Sequence, residues 1–320
     1  MNKIFVKYFY RAKPFIPRGV QLAIRRRIVQ LKFLCNKDVW PIDESTSDPP
    51  SGWTGWPDGK RFALMLTHDV DTAKGQDKCV ALAGMEEALG LRSSFNFVPR
   101  RYEVSSSLRG YLTGKGFEVG VHGLYHDGKY FDSKEEWNKR AVLINQYIKE
   151  WNAVGYRTPS MHHMLDWFHD LEIEYDASTF DTDPFEPYPD SAKTIFPFWV
   201  PNGKNRNGGY LELPYTLAQD FTPFILLKEN SIELWRRKLD WIVQKGGMAL
   251  INTHPDYMNF DGGSLSREEY PSDRYREFLE YVIGKYEGEY WHVLPRGVST
   301  FWKSMRRKNP YFGEKAEAGS

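Results

Sequence analysis

Cysteine is scarce in this chain. Its 320 residues include only Cys35 and Cys79, which are too few for a disulfide framework and too far apart in sequence for a local metal-binding knuckle. Long apolar runs are also lacking, since no stretch approaches the roughly 18 residues that a membrane-spanning helix requires. These absences argue against a disulfide-stapled secreted domain and a membrane-spanning protein, and they predict a globular protein of a reducing compartment.

Acidic residues are missing from the first 37 positions, which hold ten Lys or Arg. Four of these, Lys3, Lys7, Arg11 and Lys13, interrupt the apolar core that a secretory signal would need. We therefore expect a cytoplasmic protein.

The basic segment also contains an apolar stripe. Val20, Ile24, Ile28 and Leu31 recur at helical spacing, which predicts an amphipathic helix. Its stripe can dock on the rest of the protein, or residues 1–37 can lie on an anionic membrane such as the inner face of the cell membrane. We expect no nucleic-acid binding, because the remainder of the chain carries an excess of acidic residues.

A segment rich in Pro, Gly, Ser and Asp, residues 41–59, divides the basic arm from the rest of the chain. We expect three parts: a basic amphipathic arm with its linker at 1–58, a barrel domain at 59–305, and a polar, flexible tail at 306–320.

Short apolar runs alternate with helical patterns after residue 60. This alternation predicts an α/β protein in which parallel strands are covered by helices, either a β/α barrel or an open wound sheet. The candidate strands are 62–68, 93–98, 117–122, 154–157, 172–176, 194–200, 209–213 and 247–253. The candidate helices are 77–89, 133–151, 162–170, 230–245 and 267–287, with another beginning near 299.

Titratable side chains follow several of the predicted strands. In parallel architectures the carboxyl ends of the strands carry the chemistry, so these side chains should meet at one rim. They are His68, Asp69, Asp71, His122, His126, Arg157 and His254.

The pair His122 and His126 is spaced for two imidazoles on one face of a helix, an arrangement that can bind a metal ion. The alternation of side chains along the strand at 62–68 places Asp69 and Asp71 on one side and turns His68 to the other. Two neighbouring carboxylates repel each other unless a proton or a cation intervenes. The alternative is a turn in which Asp69 or Asp71 caps the helix near residue 77.

Four motifs occur in a characteristic order: THDVD (67–71), HGLYH (122–126), YRTPS (156–160) and INTHPDY (251–257). Over about residues 60–260 the chain resembles the polysaccharide deacetylases of carbohydrate esterase family four. The resemblance implies a distorted (β/α) barrel, here of about seven strands behind the basic helical arm. It also implies metal-dependent hydrolysis of N-acetyl or O-acetyl groups on sugars.

The resemblance implies a role for each matching residue. Asp69 corresponds to the catalytic base, and Arg157 to the arginine that pairs with this base. His254 corresponds to the general acid that protonates the leaving amine. The backbone N–H of Ser160 falls where the family helps to bind the oxyanion.

The metal ligands implied by the resemblance are Asp71, His122 and His126. Zinc is the expected ion, although Co, Ni, Mn and Fe also suit two imidazoles and a carboxylate. The chain departs from the commonest family pattern by having D-V-D in place of two adjacent Asp residues. It also has Gly123 where a Ser or Thr usually follows the first histidine.

The carboxylate that orients the acid histidine in this family has no single match here. Asp220, Glu212 and Asp256 are the candidates.

Together these observations predict a metal-dependent deacetylase that acts on carbon–nitrogen bonds of a saccharide or glycan precursor. A cytoplasmic enzyme would meet a lipid- or nucleotide-linked sugar, and the basic arm would suit work at a membrane face. The alternatives are an amidohydrolase of small molecules such as cyclic amides, and a non-catalytic module that binds metal or sugar.

Overall fold

The computed structural model describes residues 16–187, 190–203 and 205–314, and the side chains of all of these except 205–207. Strands and helices alternate through most of this range. The strands are β1 (Phe62–Val70), β2 (Ser94–Phe97), β3 (Glu118–His122), β4 (Gly155–Arg157), β5 (Tyr175–Asp176), β6 (Phe198–Asn202), β7 (Asn205–Glu212), β8 (Met248–Thr253), β9 (Met258–Asn259), β10 (Tyr270–Pro271) and β11 (Tyr290–His292). The helices are α1 (Arg18–Cys35), α2 (Ala73–Ala88), α3 (Ser106–Gly114), α4 (Lys134–Glu150), α5 (Glu233–Lys245), α6 (Asp273–Lys285) and α7 (Pro295–Lys308).

The central sheet curls into a barrel. Its order is β11-β1-β2-β3-β4-β5-β7-β6, and β8 pairs with the edge of β1 opposite to β2. All of these pairs are parallel except β6 with β7. Isolated bridges, Phe180 to Tyr215 and Leu217 to Ile251, close the gap between β5, β7 and β8. The wall therefore consists of β8, β1, β2, β3, β4, β5 and β7, and the predicted distorted barrel is confirmed.

Burial explains why β1 reads as a continuous apolar run. All nine of its residues are buried, because β1 has strands on both edges and lies between the barrel interior and α2. Three helices around the barrel, α2, α3 and α4, begin at a hydroxyl residue. The side chains of Thr72, Ser105 and Ser133 each accept a hydrogen bond from the backbone N–H three residues further along the chain.

Some elements differ from the sequence-based expectation. Residues 162–170 form only a 3₁₀ helix at Leu165–Asp170, and α3 and β11 were not predicted. A π-helix occupies Phe221–Leu227. The predicted boundary at 305/306 falls within α7, and residues 315–320 of the predicted tail lie outside the described residues.

The arm helix α1 packs on the barrel domain against the π-helix, though not through the predicted stripe. Leu22 and Val29 are buried, and Nε of Arg26 donates to the Ile225 carbonyl at 3.0 Å. Arginine stems can cover apolar surface while their charged ends stay polar, and the periodicity of apolar residues does not show this. Three residues of the predicted stripe are exposed instead, Val20 by 49%, Ile24 by 42% and Leu31 by 52%. Within the described ranges, no helix is both long and apolar enough to cross a membrane.

Candidate active site

The carboxyl end of β1 brings Asp69 and Asp71 to the rim of the barrel. Asp69 lies in the strand beside Asn96 of β2, and Asp71 follows the last strand residue. Asp69 is almost fully buried, and a cavity of about 740 Å³ is lined by both carboxylates. The cavity wall also includes His122, His126, Ser160 and His254. Six of the seven predicted site residues therefore line one cavity.

Asp71, His122 and His126 form a compact group of donors. Oδ1 of Asp71 lies 3.4 Å from Nε2 of His122 and 3.0 Å from Nε2 of His126. This Oδ1 is buried and accepts no hydrogen bond within the described part of the chain. A buried carboxylate oxygen without a donor, facing two imidazole nitrogens, fits a divalent cation, because such an ion binds each donor at about 2.0–2.2 Å. These three residues could hold the implied metal.

The tautomer of His122 favours metal binding. Nδ1 of His122 lies 3.1 Å from the Arg157 carbonyl oxygen, which can only accept a hydrogen bond. Nδ1 therefore carries the proton in the neutral ring, and the lone pair of Nε2 faces the space beside Asp71 Oδ1, where a cation could bind.

The segment that carries His126 is a loop and not the helix that the spacing suggested. His122 is the last residue of β3, and His126 has a φ of 57°. The hydroxyl of buried Tyr130 accepts hydrogen bonds from the backbone N–H groups of Leu124, Tyr125 and His126 at 2.6–3.2 Å. One phenol oxygen thus fixes the loop that positions the second imidazole.

Gly123 is a requirement of this loop. Its φ is +61°, and a Cβ there would lie 2.4 Å from the Tyr130 hydroxyl and 2.5 Å from Cδ of Pro159. The Ser or Thr that the resemblance led us to expect at position 123 has no space. The Tyr130 hydroxyl supplies the hydrogen bonds to the loop instead.

Asp69 is held by three side chains. Oδ1 accepts from Asn96 Nδ2 at 3.0 Å and from Arg157 Nη1 at 3.1 Å, and Oδ2 accepts from Asn252 Nδ2 at 2.8 Å. Burial raises the pKa of Asp69, but the charges of Arg157 and of nearby histidines outweigh this effect, so its pKa lies well below the usual range. Asp69 is therefore ionised. Both of its carboxylate oxygens accept hydrogen bonds, whereas Oδ1 of Asp71 accepts none within the described residues.

Arg157 lies inside the barrel wall and does not line the cavity. It is fully buried, its Nε donates to the Ala177 carbonyl at 2.7 Å, and Nη1 also donates to Asn252 Oδ1 at 2.6 Å. The predicted pairing of Arg157 with Asp69 is present.

His254 is oriented by Asp220. Nδ1 of His254 lies 2.7 Å from Asp220 Oδ1, and Oδ2 of Asp220 accepts from the His254 backbone N–H at 2.9 Å and from the Tyr270 hydroxyl at 3.0 Å. Burial lowers the pKa of His254, but the Asp220 carboxylate, together with Asp71 and Asp69, raises it to about 10. The imidazole is thus protonated at neutral pH, with Nδ1 bound and Nε2 free to donate.

The other two candidates for this carboxylate have different partners. Glu212 accepts from the backbone N–H and hydroxyl of Thr179. Asp256 accepts from the backbone N–H of Asp71 at 2.9 Å and from the Thr72 hydroxyl. Because Thr72 caps α2, the alternative in which Asp69 or Asp71 caps this helix is wrong.

His68 points away from the site, as the strand alternation predicts. Its ring lies between α2 and β8, with Nε2 2.8 Å from Glu86 Oε1 and Nδ1 2.7 Å from the Thr253 hydroxyl. Both nitrogens are occupied, so His68 is a structural residue.

Sequence reasoning assigned no role to Asn96, Asn252 or Tyr130. A signal for Asn96 was present, since it is the polar residue within the run FNFV of a buried strand. Asn252 lies two residues before His254, on the same side of an extended chain. Nothing in the sequence pointed to Tyr130, because its loop contacts depend on the tertiary fold.

Comparison of the fold with solved structures gives clear matches. A structure from Mycobacterium smegmatis assigned to the polysaccharide deacetylases superposes with a TM-score of 0.62 and 18% identity, covering 80% of this chain and 95% of that one. An allantoinase matches with a TM-score of 0.61 and 15% identity, covering 82% and 96%. A structure from Pseudomonas aeruginosa PAO1, also assigned to the polysaccharide deacetylases, matches with a TM-score of 0.59 and 15% identity, covering 80% and 94%.

At the level of sequence, no family model matches the chain, and no curated protein matches it. The resemblance that the four motifs indicated is nevertheless confirmed for the fold: this chain has the fold of the polysaccharide deacetylases, which an allantoinase shares.

Proposed function

We propose that this protein is a divalent-metal-dependent hydrolase that removes an acyl group from a saccharide or glycan precursor, and that this acyl group is N-acetyl. The observation that carries the proposal is the placing of three units around one cavity. The donors Asp71, His122 and His126 line the same cavity as the buried carboxylate Asp69 and the imidazole of His254. Metal-dependent amide hydrolysis uses these three units: a cation, a base and an acid.

The chemistry divides among the residues as follows. A bound divalent ion, zinc in our proposal, would polarise the acyl carbonyl and lower the pKa of the attacking water. Asp69, kept ionised by Arg157, accepts a proton from that water. Nε2 of His254 donates a proton to the leaving nitrogen while Asp220 holds Nδ1. The backbone N–H of Ser160, in the cavity wall, would donate to the developing oxyanion.

Asp69→Asn tests the proposal. The amide keeps the shape of the carboxylate but cannot take up a proton, so we expect the rate of acetate release from N-acetylated saccharides to fall at least ~100-fold. Metal content, measured by atomic emission, should not change, because Asp69 is not among the three donors. Asp261→Asn, an exposed site on a loop, is the matched control and should keep full activity.

Two outcomes would contradict this assignment. Equal activity of wild type and Asp69→Asn would show that Asp69 takes no part in the reaction. A protein without hydrolytic activity on any acylated saccharide or cyclic amide would favour the non-catalytic module that binds metal or sugar.

The second candidate is an amidohydrolase of small molecules, which the fold match to an allantoinase favours. The same cation, base and acid serve either substrate. A parallel assay of N-acetylated sugars and cyclic ureides separates the two, since the enzyme should turn over one class and leave the other intact.

We further propose a cytoplasmic location, a lipid- or nucleotide-linked substrate and peripheral membrane contact through residues 1–37. Cys35 and Cys79 are both free thiols, and α1 exposes Val20, Ile24 and Leu31 beside its arginines. Co-sedimentation with anionic vesicles should therefore deplete the protein from solution, and Ile24→Asp should reverse this. A protein that stays in the supernatant with such vesicles contradicts the membrane contact.

A further inference from the structure

The arm helix α1 forms part of the candidate active-site cavity. Its residues Arg18, Gln21 and Arg25, with Ile16 just before the helix, line the cavity together with the catalytic groups. The helix is held there by the π-helix on which it packs. A helix that precedes the barrel domain in sequence therefore completes the wall around the substrate.

The basic groups in this wall differ in their partners. Arg18 is paired with Glu268, and Lys74 is paired with Glu269, whereas Arg101 has an exposed side chain. In the described part of the chain, the guanidinium of half-buried Arg25 has no carboxylate within 4 Å. It lies over the ring of Phe221, 4.9 Å from the centroid. Arg25 is thus held at the cavity with its hydrogen-bond donors available.

Glu186, an acidic group in the same wall, is bound by other donors. Glu186 accepts hydrogen bonds from the Tyr215 hydroxyl at 2.7 Å and from Gln219 Nε2 at 2.6 Å. Burial raises the pKa of Glu186, although the Arg25 charge opposes this. Arg25 therefore keeps its donors for a group that enters the cavity.

Ring contacts through Tyr257 and Phe221 link Arg25 to His254, the proposed general acid. The ring centroids of His254 and Tyr257 are 5.1 Å apart, and those of Tyr257 and Phe221 are 4.9 Å apart. Because His254 donates a proton to the leaving nitrogen in the proposed reaction, the sugar that keeps this nitrogen would lie beside His254. The sugar then extends along Tyr257 and Phe221 towards Arg25.

We propose that the substrate carries an anionic group, phosphate or carboxylate, on the sugar side of the amide, and that Arg25 binds this group. The proposal rests on the proposed function for the direction in which the sugar lies. A guanidinium presents parallel N–H donors that match the oxygens of a phosphate or a carboxylate. Arg25 is then a specificity residue supplied by the arm.

Matched pairs of substrates test the proposal. We suggest N-acetylglucosamine with N-acetylglucosamine 1-phosphate, and a nucleoside-diphosphate-linked with a prenyl-phosphate-linked N-acetylhexosamine to distinguish the sources of phosphate. Wild type should favour the charged member of the first pair at least about 10-fold in kcat/KM, mainly through KM, because hydrogen bonds to charged groups contribute about 1.5–3 kcal/mol. Arg25→Gln should remove this preference by raising KM for the charged sugar.

Arg27→Gln is the matched control, since it removes the same charge from an exposed position of the same helix. It should keep the preference. A preference that survives in Arg25→Gln, or equal use of neutral and charged sugars by wild type, would overturn the proposal.

Binding separates this proposal from the proposed function. In calorimetric titrations of the metal-loaded full chain, wild type should bind N-acetylglucosamine 1-phosphate more tightly than the uncharged sugar, and Arg25→Gln should not. This preference without hydrolysis of any sugar would refute the deacetylase function and keep the role of Arg25. Hydrolysis of sugars without any preference for charge would do the opposite.

Discussion

At the residue scale, the pairing of Asp220 with His254, the proposed general acid, determines the pH at which this imidazole loses its proton. The carboxylate raises the pKa of His254 and binds both its Nδ1 and its backbone N–H. Asp220→Asn removes the charge, so the pKa of His254 should fall. The alkaline limb of the pH profile of kcat should then move to lower pH, and kcat should drop about 10- to 100-fold.

The measurement is kcat for acetate release between pH 6 and about pH 10. Asp261→Asn serves again as the control and should keep the wild-type profile. An unchanged alkaline limb in Asp220→Asn would show that another group donates the proton.

The directions of single side chains could be predicted from the sequence. Asp69 and Asp71 share a side of β1 because alternation along a strand is a local rule, and the same rule turned His68 away. The partner of His254 could not be chosen from the sequence. Asp220 lies 34 positions before His254, and only the closed barrel brings the two together.

At the scale of elements, α2 and the segment after β8 contact each other beside Asp71, a proposed metal ligand. Asp256 accepts from the Asp71 backbone N–H, and α2 passes so close that a Cβ on Gly75 would lie 2.1 Å from Oδ2 of Asp256. Gly75→Ala should displace this carboxylate and with it Asp71. We expect metal affinity to fall about 10- to 100-fold, as for the loss of other groups that orient a ligand.

Gly84→Ala is a matched control in the same helix, since nothing lies within 4 Å of a Cβ there. Because Ala favours a helix by about 1 kcal/mol over Gly, Gly84→Ala should raise the melting temperature with unchanged metal affinity. Calorimetric titration with Zn²⁺ and thermal melts measure both quantities. Equal metal affinity in the two variants would mean that Asp256 does not position Asp71.

Elements were predicted best where burial made their pattern regular. β1, β3 and β8 are fully buried, and their apolar runs marked them closely. The spacing of His122 and His126 wrongly predicted a helix. Two residues four positions apart can also lie close together in a loop, and here the buried Tyr130 hydroxyl fixes that loop. The docked face of α1 was missed because arginine stems form part of it.

At the scale of the whole molecule, buried carboxyl groups make stability depend on pH. Burial, and then the neighbouring Glu186, raise the pKa of Asp183 to about 8. A carboxyl whose pKa is raised in the folded state contributes stability that is fully present below its unfolded pKa and is lost as the pH rises towards the folded value. The free energy of unfolding should thus fall by roughly a few kcal/mol from about pH 5 to about pH 8.

Asp183→Asn should make this decline smaller, because the amide has no proton to lose. Its oxygen can still accept from the Phe185 backbone N–H, as Asp183 does at 2.8 Å. Urea unfolding at the two pH values measures the difference, with exposed Asp166→Asn as the control. A decline as steep in Asp183→Asn as in wild type would assign the pH dependence to other groups.

The position of α1 also sets the distance between its outer face and the cavity. One face of this helix lines the cavity at Gln21 and Arg25, while Val20, Ile24 and Leu31 face outwards. A helix with its side chains is about 10–12 Å across, so any surface on which the outer face rests is about one helix diameter from the bound sugar. A sugar anchored in such a surface would therefore need a tether that spans this thickness before its ring reached the proposed metal ligands Asp71, His122 and His126.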